Sequence, residues 1–287
     1  MVDLLRHKVR FGELSWGPYL HYATFFDLLI RATEELTYEL DDPIEGTVAA
    51  GGIPYAPVAI HGEIDRYPRY PDTVVVAGEP AAAGETNVQF DYRFLRASDG
   101  VEFGRATTVQ VTITPEHAAA PVSAEVLERL RALGPLDREP STIEPRALGD
   151  ATGAAPEFER PVTFRTPHIE AAGLGYFEDY AREMAVCLED ALDAGGRSLR
   201  DLTGDTYPFV PVAWDLAIDR SIRFEDDVTI VGRVLDAGEE AVEVGYEFRR
   251  DGTGDVCIRS AVTYGSLDGD GRRVPFEPAA LAAVTRR

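Results

Sequence analysis

Lysine is almost absent from this chain of 287 residues: Lys8 is the only one, although 50 residues are acidic and the formal net charge is −22. An excess of negative charge repels the phosphates of nucleic acids and of anionic membranes over most of a protein surface. We therefore expect neither a nucleic acid nor a membrane surface among its partners. Acidic residues in excess, with arginine in place of lysine, indicate a halophilic or high-GC host.

Cysteine is also scarce, because only Cys187 and Cys257 occur. No CxxC pair or Cys/His cluster accompanies them, so the sequence indicates no zinc or other metal site. We expect both thiols to be packed as small apolar side chains.

Long apolar runs are missing as well: none approaches the roughly 20 residues that a membrane span needs. Residues 1–14 lack the features of a secretory signal, and we expect a cytoplasmic protein.

An internal repeat is the main feature of the chain. Residues 54–59 are PYAPVA and residues 208–213 are PFVPVA, an offset of 208 − 54 = 154. The same offset, without a gap, pairs Arg69 with Arg223, Asp72 with Asp226, Tyr92 with Tyr246, Phe94 with Phe248 and Arg105 with Arg259. Chance does not supply this many matches in one register, so we interpret the chain as a tandem duplication.

Both copies show the same order of secondary-structure signals. Each opens with an extended segment, at 9–11 and at 162–164, and continues into a long helical pattern, at 22–40 and at 176–192. Four strand patterns follow in each copy, at 56–67, 73–77, 87–96 and 105–113, and then at 210–222, 228–234, 241–250 and 255–264. Asp-Gly pairs at 99–100 and 251–252 predict hairpin turns. These signals predict an α+β fold in which an antiparallel sheet wraps around a long helix.

The segment 131–159 is rich in Pro, Gly and Ala and is typical of a linker. We therefore predict two modules, residues 1–130 and residues 160–287, with the active or binding sites at the seam between them. A chain of this length is also long enough for two modules of ordinary size.

This arrangement resembles the hotdog-fold thioesterases of the 4-hydroxybenzoyl-CoA thioesterase type, in a tandem double-hotdog form. That family opens with a strand, an Asp-x-Asp-x-x-Gly loop and the helix. In the second copy, Glu170 takes the position of the family's catalytic Asp and Gly173 that of its glycine. In the first copy, Ser15 occupies the position of the catalytic Asp, and Glu13 matches the first acidic position of the loop.

The resemblance implies a mechanism for these residues. A carboxylate beside the helix start attacks the thioester carbonyl or activates water, while N–H groups at the helix N-terminus polarise the carbonyl oxygen. Glu170 is the first catalytic candidate, and Tyr176 and Phe177 are candidate substrate-binding residues. If the loop before the first helix is a strand, Glu13 substitutes for Ser15, since residues two apart on a strand share a face. The alternative for Glu170 is a glutamate favoured only by the helix dipole or by solvation.

Two further candidates are related by the repeat. His61 and Asp215 occupy equivalent positions in the strand after the helix, since 61 + 154 = 215. A polar side chain there orients water or substrate, or is only a hydrogen-bonded strand residue. His21, just before the first helix, is a comparable candidate.

Arginine is suited to binding the phosphates of coenzyme A. Arg66 and Arg69 recur as Arg220 and Arg223, so both copies keep two arginines near a strand end. Ion pairing with the acidic surface is the competing interpretation.

The leading hypothesis is a thioesterase that hydrolyses an acyl-CoA or acyl-carrier-protein thioester, with the acyl chain between the two helices. It needs no cofactor beyond the coenzyme A or phosphopantetheine of the substrate. A dehydratase or hydratase on the same fold is a second hypothesis, but this sequence has no Asp-x4-His signature of that class. Acyl transfer or decarboxylation remains open. An acyl-thioester binding protein with decayed catalytic positions is the non-enzymatic alternative, which Ser15 favours.

The expected assembly is a monomeric double hotdog or a homo-oligomer, since exposed sheet edges favour pairing.

Overall fold

The computed structural model describes residues 1–15, 17–39, 53–114, 118–134, 136, 138–151, 157–170 and 173–285. The strands are β1 Val2–Lys8, β2 Ile53–Ile64, β3 Thr73–Ala83, β4 Asn87–Arg96, β5 Glu102–Ile113, β6 Phe158–Thr163, β7 Thr206–Ile218, β8 Asp227–Ala237, β9 Val242–Arg250, β10 Val256–Asp268 and β11 Arg273–Val274. The helices are α1 Ala23–Glu39, α2 Ala124–Leu133, α3 Phe177–Ala194, α4 Leu199–Leu202 and α5 Pro278–Thr285. None of these helices is long and apolar enough to span a bilayer.

All the strands in the described part of the chain belong to one antiparallel sheet, in the order β1-β3-β4-β5-β2-β7-β10-β9-β8-β6, with β11 beside β10. From either edge to the centre, the two halves place corresponding strands in the same order. They join where β2 pairs with β7, and His61 faces Asp215 in that pairing. Because these two positions are equivalent under the repeat, the join is symmetric.

The two long helices pack against the sheet and against each other. Helix α1 contacts β1 and β3, and α3 contacts the corresponding β6 and β8. The Tyr22 hydroxyl donates a hydrogen bond to the Ala181 carbonyl, and the Phe26 and Phe177 rings lie 5.1 Å apart. Trp214 on β7 stacks on Phe26 at 5.4 Å. An aromatic core therefore links both helices to the centre of the sheet.

Apolar spacing explains the long helices. In α1 the side chains at Phe25, Phe26, Leu29, Ala32 and Leu36 are at most 1% exposed. This three-to-four residue spacing forms one apolar stripe, as the sequence indicated. Both predicted helices are confirmed, apart from residue 40, which lies outside the described residues.

The strands after each helix are also confirmed, with shifted ends, and the Asp-Gly turns place Gly100 and Gly252 at φ +73° and +79°. The expected first strand at 9–11 is wrong, because β1 runs from Val2 to Lys8 and residues 11–13 form a short 3₁₀ turn. A bulge between Asp3 and Leu5 breaks the alternation that would have revealed this edge strand.

The segment between the copies is packed onto the sheet. Arg138 donates to the Ala81 carbonyl on β3, and Ser141 N–H donates to Gln89 on β4. Further along, Arg146 pairs with Glu243 on β9, and Leu148 is 4% exposed. This segment therefore contacts both halves. Cys187 and Cys257 are free thiols and fully buried, as expected.

Candidate active site

A cavity of about 520 Å³ lies at the seam between the halves. Helix α1 and strands β2 and β5 of the first half form one side of it. Residues around Glu170, the start of α3 and residues 218–221 of the second half form the other. Its volume lies within the range typical of small-molecule sites.

Glu170 reaches this cavity because of a tight turn before α3. The Glu170 N–H donates to the Leu174 carbonyl at 2.9 Å, and the Gly173 N–H donates to the Glu170 carbonyl at 3.0 Å. Gly173 has φ +80°, a backbone conformation that side chains other than hydrogen disfavour. The loop glycine therefore makes the turn that places Glu170 on the cavity wall.

The Glu170 carboxyl group is partly buried. No described residue donates a hydrogen bond to it or forms an ion pair with it. Burial, and after it the nearby charge of Glu34, raises the pKa of Glu170. Glu34 lies on α1 and also lines the cavity; partial burial of its carboxyl group and the charge of Asp27 raise its pKa too. A carboxylate with a raised pKa is a stronger base than an exposed one.

The start of α3 adjoins the same cavity. Phe177, 4% exposed, contributes its ring to the wall. The hydroxyl of Tyr176 donates to Asp27 Oδ1 on α1 at 3.1 Å, and burial raises the pKa of this tyrosine. The first backbone N–H groups of a helix have no acceptor within the helix, and no described residue accepts a hydrogen bond from those of Phe177 and Glu178. Such groups favour an anion.

Polar side chains on the first half's wall were missed by the sequence analysis. Thr33, Thr108 and Gln110 line the cavity and are at most 5% exposed. Gln110 Nε2 donates to the hydroxyls of Thr33 and Thr108, both at 3.0 Å. The repeat offered a signal, since Gln110 is the polar counterpart of Tyr264 (110 + 154 = 264) in an otherwise apolar core position.

A second cavity, of about 100 Å³, has Ser15 in its wall. Isolated bridges pair Leu14 with Leu20 and Ile169 with Gly175, so the helix-start loops correspond at an offset of 155. By that offset Ser15 is the counterpart of Glu170. The small cavity is therefore the counterpart of the large one.

Larger side chains explain the smaller volume. Leu188 on α3 replaces Thr33, Tyr264 replaces Gln110, and Leu20 replaces Gly175. Tyr264 shares a 2.8 Å hydrogen bond with the hydroxyl of Tyr246, so its polar atom is satisfied.

His21 lines the small cavity. Burial, and then the charge of Arg182, lowers the pKa of His21 to about 4. Its Nδ1 accepts the N–H of Ala23 at 3.2 Å, so Nε2 holds the proton of the neutral ring. Ser15 Oγ is 3.4 Å from the Tyr19 carbonyl. Thus the small cavity has a serine at the position that Glu170 occupies in the large cavity, and its wall includes a neutral histidine.

Glu13 lies outside the residues that line either cavity. Its Oε2 accepts hydrogen bonds from His7 Nε2 and from the Arg10 N–H, both at 2.8 Å. These partners hold Glu13 within the 3₁₀ turn, so the expected strand, on which Glu13 and Ser15 would share a face, is not formed there. Its catalytic role stays a prediction.

His61 and Asp215 are brought together, but on the other face of the sheet. Their neighbours Ile60 and Leu216 are buried, whereas both polar side chains are 39% exposed. His61 Nδ1 lies 2.7 Å from Asp215 Oδ1, and this hydrogen bond raises the pKa of His61. Since neither lines a described cavity, their catalytic role also stays a prediction.

Of the four predicted arginines, Arg220 lines the large cavity, where it pairs with Asp255 at 3.3 Å. Arg223 and Arg66 are exposed and line neither described cavity. Arg69 lies over the Tyr19 ring at 5.5 Å. The structure thus brings Glu170, Phe177 and Arg220 to one cavity.

No protein-family model matches the chain, and no curated protein matches its sequence. Solved structures do match. A Lactobacillus plantarum protein, provisionally assigned as an oleoyl thioesterase, is 14% identical with a TM-score of 0.76, covering 94% of this chain and 96% of its own. The 12:0-ACP thioesterase of Umbellularia californica is 14% identical, with a TM-score of 0.68 and coverage of 91% and 93%. An acyl-ACP thioesterase of Bacteroides thetaiotaomicron is 13% identical, with a TM-score of 0.67 and coverage of 91% and 96%.

At this level of identity the likeness establishes the fold. The chain has the hotdog fold, as its resemblance to hotdog thioesterases led us to expect, and the match extends over nearly the full length of both chains.

Proposed function

We propose that the chain is a thioesterase that hydrolyses an acyl-CoA or acyl-carrier-protein thioester in the large cavity. The observation that carries the proposal is Glu170: a partly buried carboxylate without a described partner, on the wall of a cavity beside a helix N-terminus. We further infer that the halves are two hotdog modules, residues 1–130 and 160–287, joined by residues 131–159.

The proposed reaction uses Glu170 as a general base. Its carboxylate takes a proton from water, and the resulting hydroxide forms a bond to the carbonyl carbon of the thioester. The first N–H groups of α3 stabilise the oxyanion that develops. The C–S bond then breaks, and the sulfur leaves as a thiol after receiving the proton. In the alternative mechanism, the Glu170 carboxylate attacks the carbonyl carbon directly. The C–S bond breaks to give a covalent anhydride, which water then hydrolyses.

Supporting geometry comes from the rest of the cavity. Apolar side chains such as Leu29, Ile30 and Ile60 suit an acyl chain, while Arg220 supplies a positive charge for a phosphate of the leaving group. No histidine is among the described residues that line the cavity, which disfavours dehydration by an Asp and His pair.

The test is thiol release from a panel of acyl-CoAs. We expect the wild-type protein to release thiol and Glu170→Gln to lose about 10²- to 10⁴-fold in kcat/KM, the usual effect of removing a general base. Ser15→Ala is the matched control at the counterpart position, and its kcat/KM should remain near wild type.

Turnover by Glu170→Gln at the wild-type rate would reject the role of Glu170. Binding of acyl-CoA without thiol release would instead favour an acyl-thioester binding protein. Water addition to enoyl-CoA without thiol release would favour a hydratase.

A further inference from the structure

The hydroxyl group of Tyr180, on the first turn of α3, has no hydrogen-bond partner among the described residues. Tyr180 is 2% exposed and lines the large cavity. Its oxygen is not one of the unpartnered polar atoms that are sealed off from solvent. The hydroxyl therefore retains surface that is open to the cavity, and the hydrolysis described above makes no use of it.

Gly175 leaves room for this hydroxyl beside the turn that carries Glu170. A Cβ at Gly175 would collide with the Tyr180 oxygen. Gly175 pairs with Ile169, the residue before Glu170, so the hydroxyl lies against the base of that turn. Burial, and after it the charge of Glu170, raises the pKa of Tyr180. The hydroxyl thus keeps its proton at neutral pH and lies close to the proposed base.

The first half shows that the fold requires the ring at this position and not the hydroxyl. Phe25 is the counterpart of Tyr180, since 25 + 155 = 180. The Phe25 ring packs on Phe94 at 4.9 Å, and the Tyr180 ring packs on the corresponding Phe248 at 5.8 Å. The two rings therefore do the same work in the core, and only one of them carries an oxygen.

The hydroxyl also occurs together with the carboxylate. In the first half, Ser15 replaces Glu170, Leu20 replaces Gly175 and the hydroxyl of Tyr180 is absent. The base, the hydroxyl and the glycine that leaves room for the hydroxyl are thus all found in one half and all missing from the other. This joint change indicates that the hydroxyl acts with the carboxylate.

The start of α3 presents donors of two kinds to the cavity. Helical side chains point toward the N-terminus of their helix, and the Tyr180 hydroxyl accordingly reaches back to Gly175. The backbone N–H groups of Phe177 and Glu178, on the same turn, have no described acceptor. Phe177 and Tyr180 both line the cavity, and their rings lie 6.2 Å apart. A neutral O–H and free N–H groups therefore flank one helix start.

We propose that the Tyr180 hydroxyl donates a hydrogen bond to the carbonyl oxygen of the bound thioester, alongside the first N–H groups of α3, and is a catalytic residue. As the oxygen of the attacking water bonds to the carbonyl carbon, negative charge moves to the carbonyl oxygen, where a fixed donor stabilises it. The C=O bond re-forms when the C–S bond breaks, and Tyr180 keeps its proton throughout. The inference rests on the proposed function.

Tyr180→Phe tests this role, because it removes the hydroxyl and keeps the ring that the first half uses. The kcat for acyl-CoA hydrolysis should fall by about 10²- to 10³-fold, the usual effect of losing one such donor. KM should stay near wild type, because the charge on the oxygen develops only in the transition state. The thermal midpoint should not fall, since the hydroxyl has no partner in the fold.

Tyr264→Phe is the matched control, since it removes a buried hydroxyl from the wall of the small cavity. That hydroxyl shares a 2.8 Å hydrogen bond with Tyr246, so the control should lower the thermal midpoint and leave kcat unchanged. A wild-type kcat in Tyr180→Phe would overturn the inference. A fall in both kcat and the thermal midpoint of Tyr180→Phe would show a structural role and would also overturn it.

A second measurement does not depend on turnover. It compares two acyl-CoA analogues that cannot be hydrolysed, a ketone with a methylene group in place of the sulfur and a thioether with a methylene group in place of the carbonyl. The preference for the ketone should be about 2- to 10-fold greater in wild type than in Tyr180→Phe, the effect of one neutral hydrogen bond.

The same preference in both proteins would overturn the inference. Absence of thiol release by wild type, with the difference in preference intact, would reject the proposed hydrolysis and keep the contact with the carbonyl oxygen.

Discussion

Glu170 combines its proposed catalytic role with a cost to stability. Burial and Glu34 raise its pKa, so the folded state holds the proton of this group more tightly than the unfolded state does. The stability that such a carboxyl contributes is present below its unfolded pKa and is lost as the pH rises through its folded pKa. At neutral pH the ionised Glu170 therefore destabilises the fold.

Glu170→Gln should accordingly raise the thermal midpoint at pH 7, and the difference from wild type should shrink as the pH falls toward 4. Unfolding followed by circular dichroism across this pH range measures it. Glu13→Gln is the control. It should lower the thermal midpoint at pH 7, because Glu13 accepts two hydrogen bonds in the fold. A lower midpoint for Glu170→Gln at pH 7 would contradict the assignment of an unpartnered carboxylate.

The sequence predicted part of the candidate site. Glu170 followed from the loop before the helix, and the contrast with Ser15 followed from the repeat. The face of His61 was not predictable, because its strand begins in a proline-containing, bulged segment that hides the alternation. Gln110 was missed because a single polar residue in a strand carries no spacing that distinguishes a cavity wall from an exposed surface.

At the scale of elements, the pairing of β2 with β7 joins the two halves. Gly62 lies opposite Trp214 there, and a Cβ at this position would be 2.3 Å from the Trp214 ring. The same ring stacks on Phe26, so the absence of a side chain at Gly62 lets the indole pack between the sheet and α1.

Gly62→Ala should lower the free energy of unfolding by about 1–3 kcal/mol, because the added methyl group overpacks the core. Urea unfolding measures the effect. Gly12→Ala is the matched control, since nothing lies within 4 Å of a Cβ built there. Equal unfolding free energies for the two variants would contradict close packing at the join.

Most elements were predictable from the repeat, because each copy supports the other. The starts of β2 and β7 were not. Tyr55 and Phe209 each stand between prolines and have φ +46° and +58°. Both strands therefore begin with an irregular, proline-containing segment that does not show the pattern of a regular strand. The edge strand β1 was displaced for a similar reason, the bulge near Asp3.

At the scale of the whole molecule, the charge of −22 opposes compaction by self-repulsion. Salt shortens the range of that repulsion, from about 10 Å at 0.1 M to about 3 Å at 1 M. The thermal midpoint should therefore rise with potassium chloride over this range at pH 7. A midpoint that falls or stays constant would contradict a dominant contribution of charge repulsion.

The central claim is that one of the two counterpart cavities, the one at Glu170, binds the substrate. Titration calorimetry with a thioether analogue of acyl-CoA, which cannot be hydrolysed, measures this directly. We predict one binding site per chain, lost in Ile30→Trp, which fills the large cavity, and kept in Ala185→Trp, its counterpart at the small one. Two sites per chain, or binding lost in Ala185→Trp and kept in Ile30→Trp, with both variants folded, would contradict the claim.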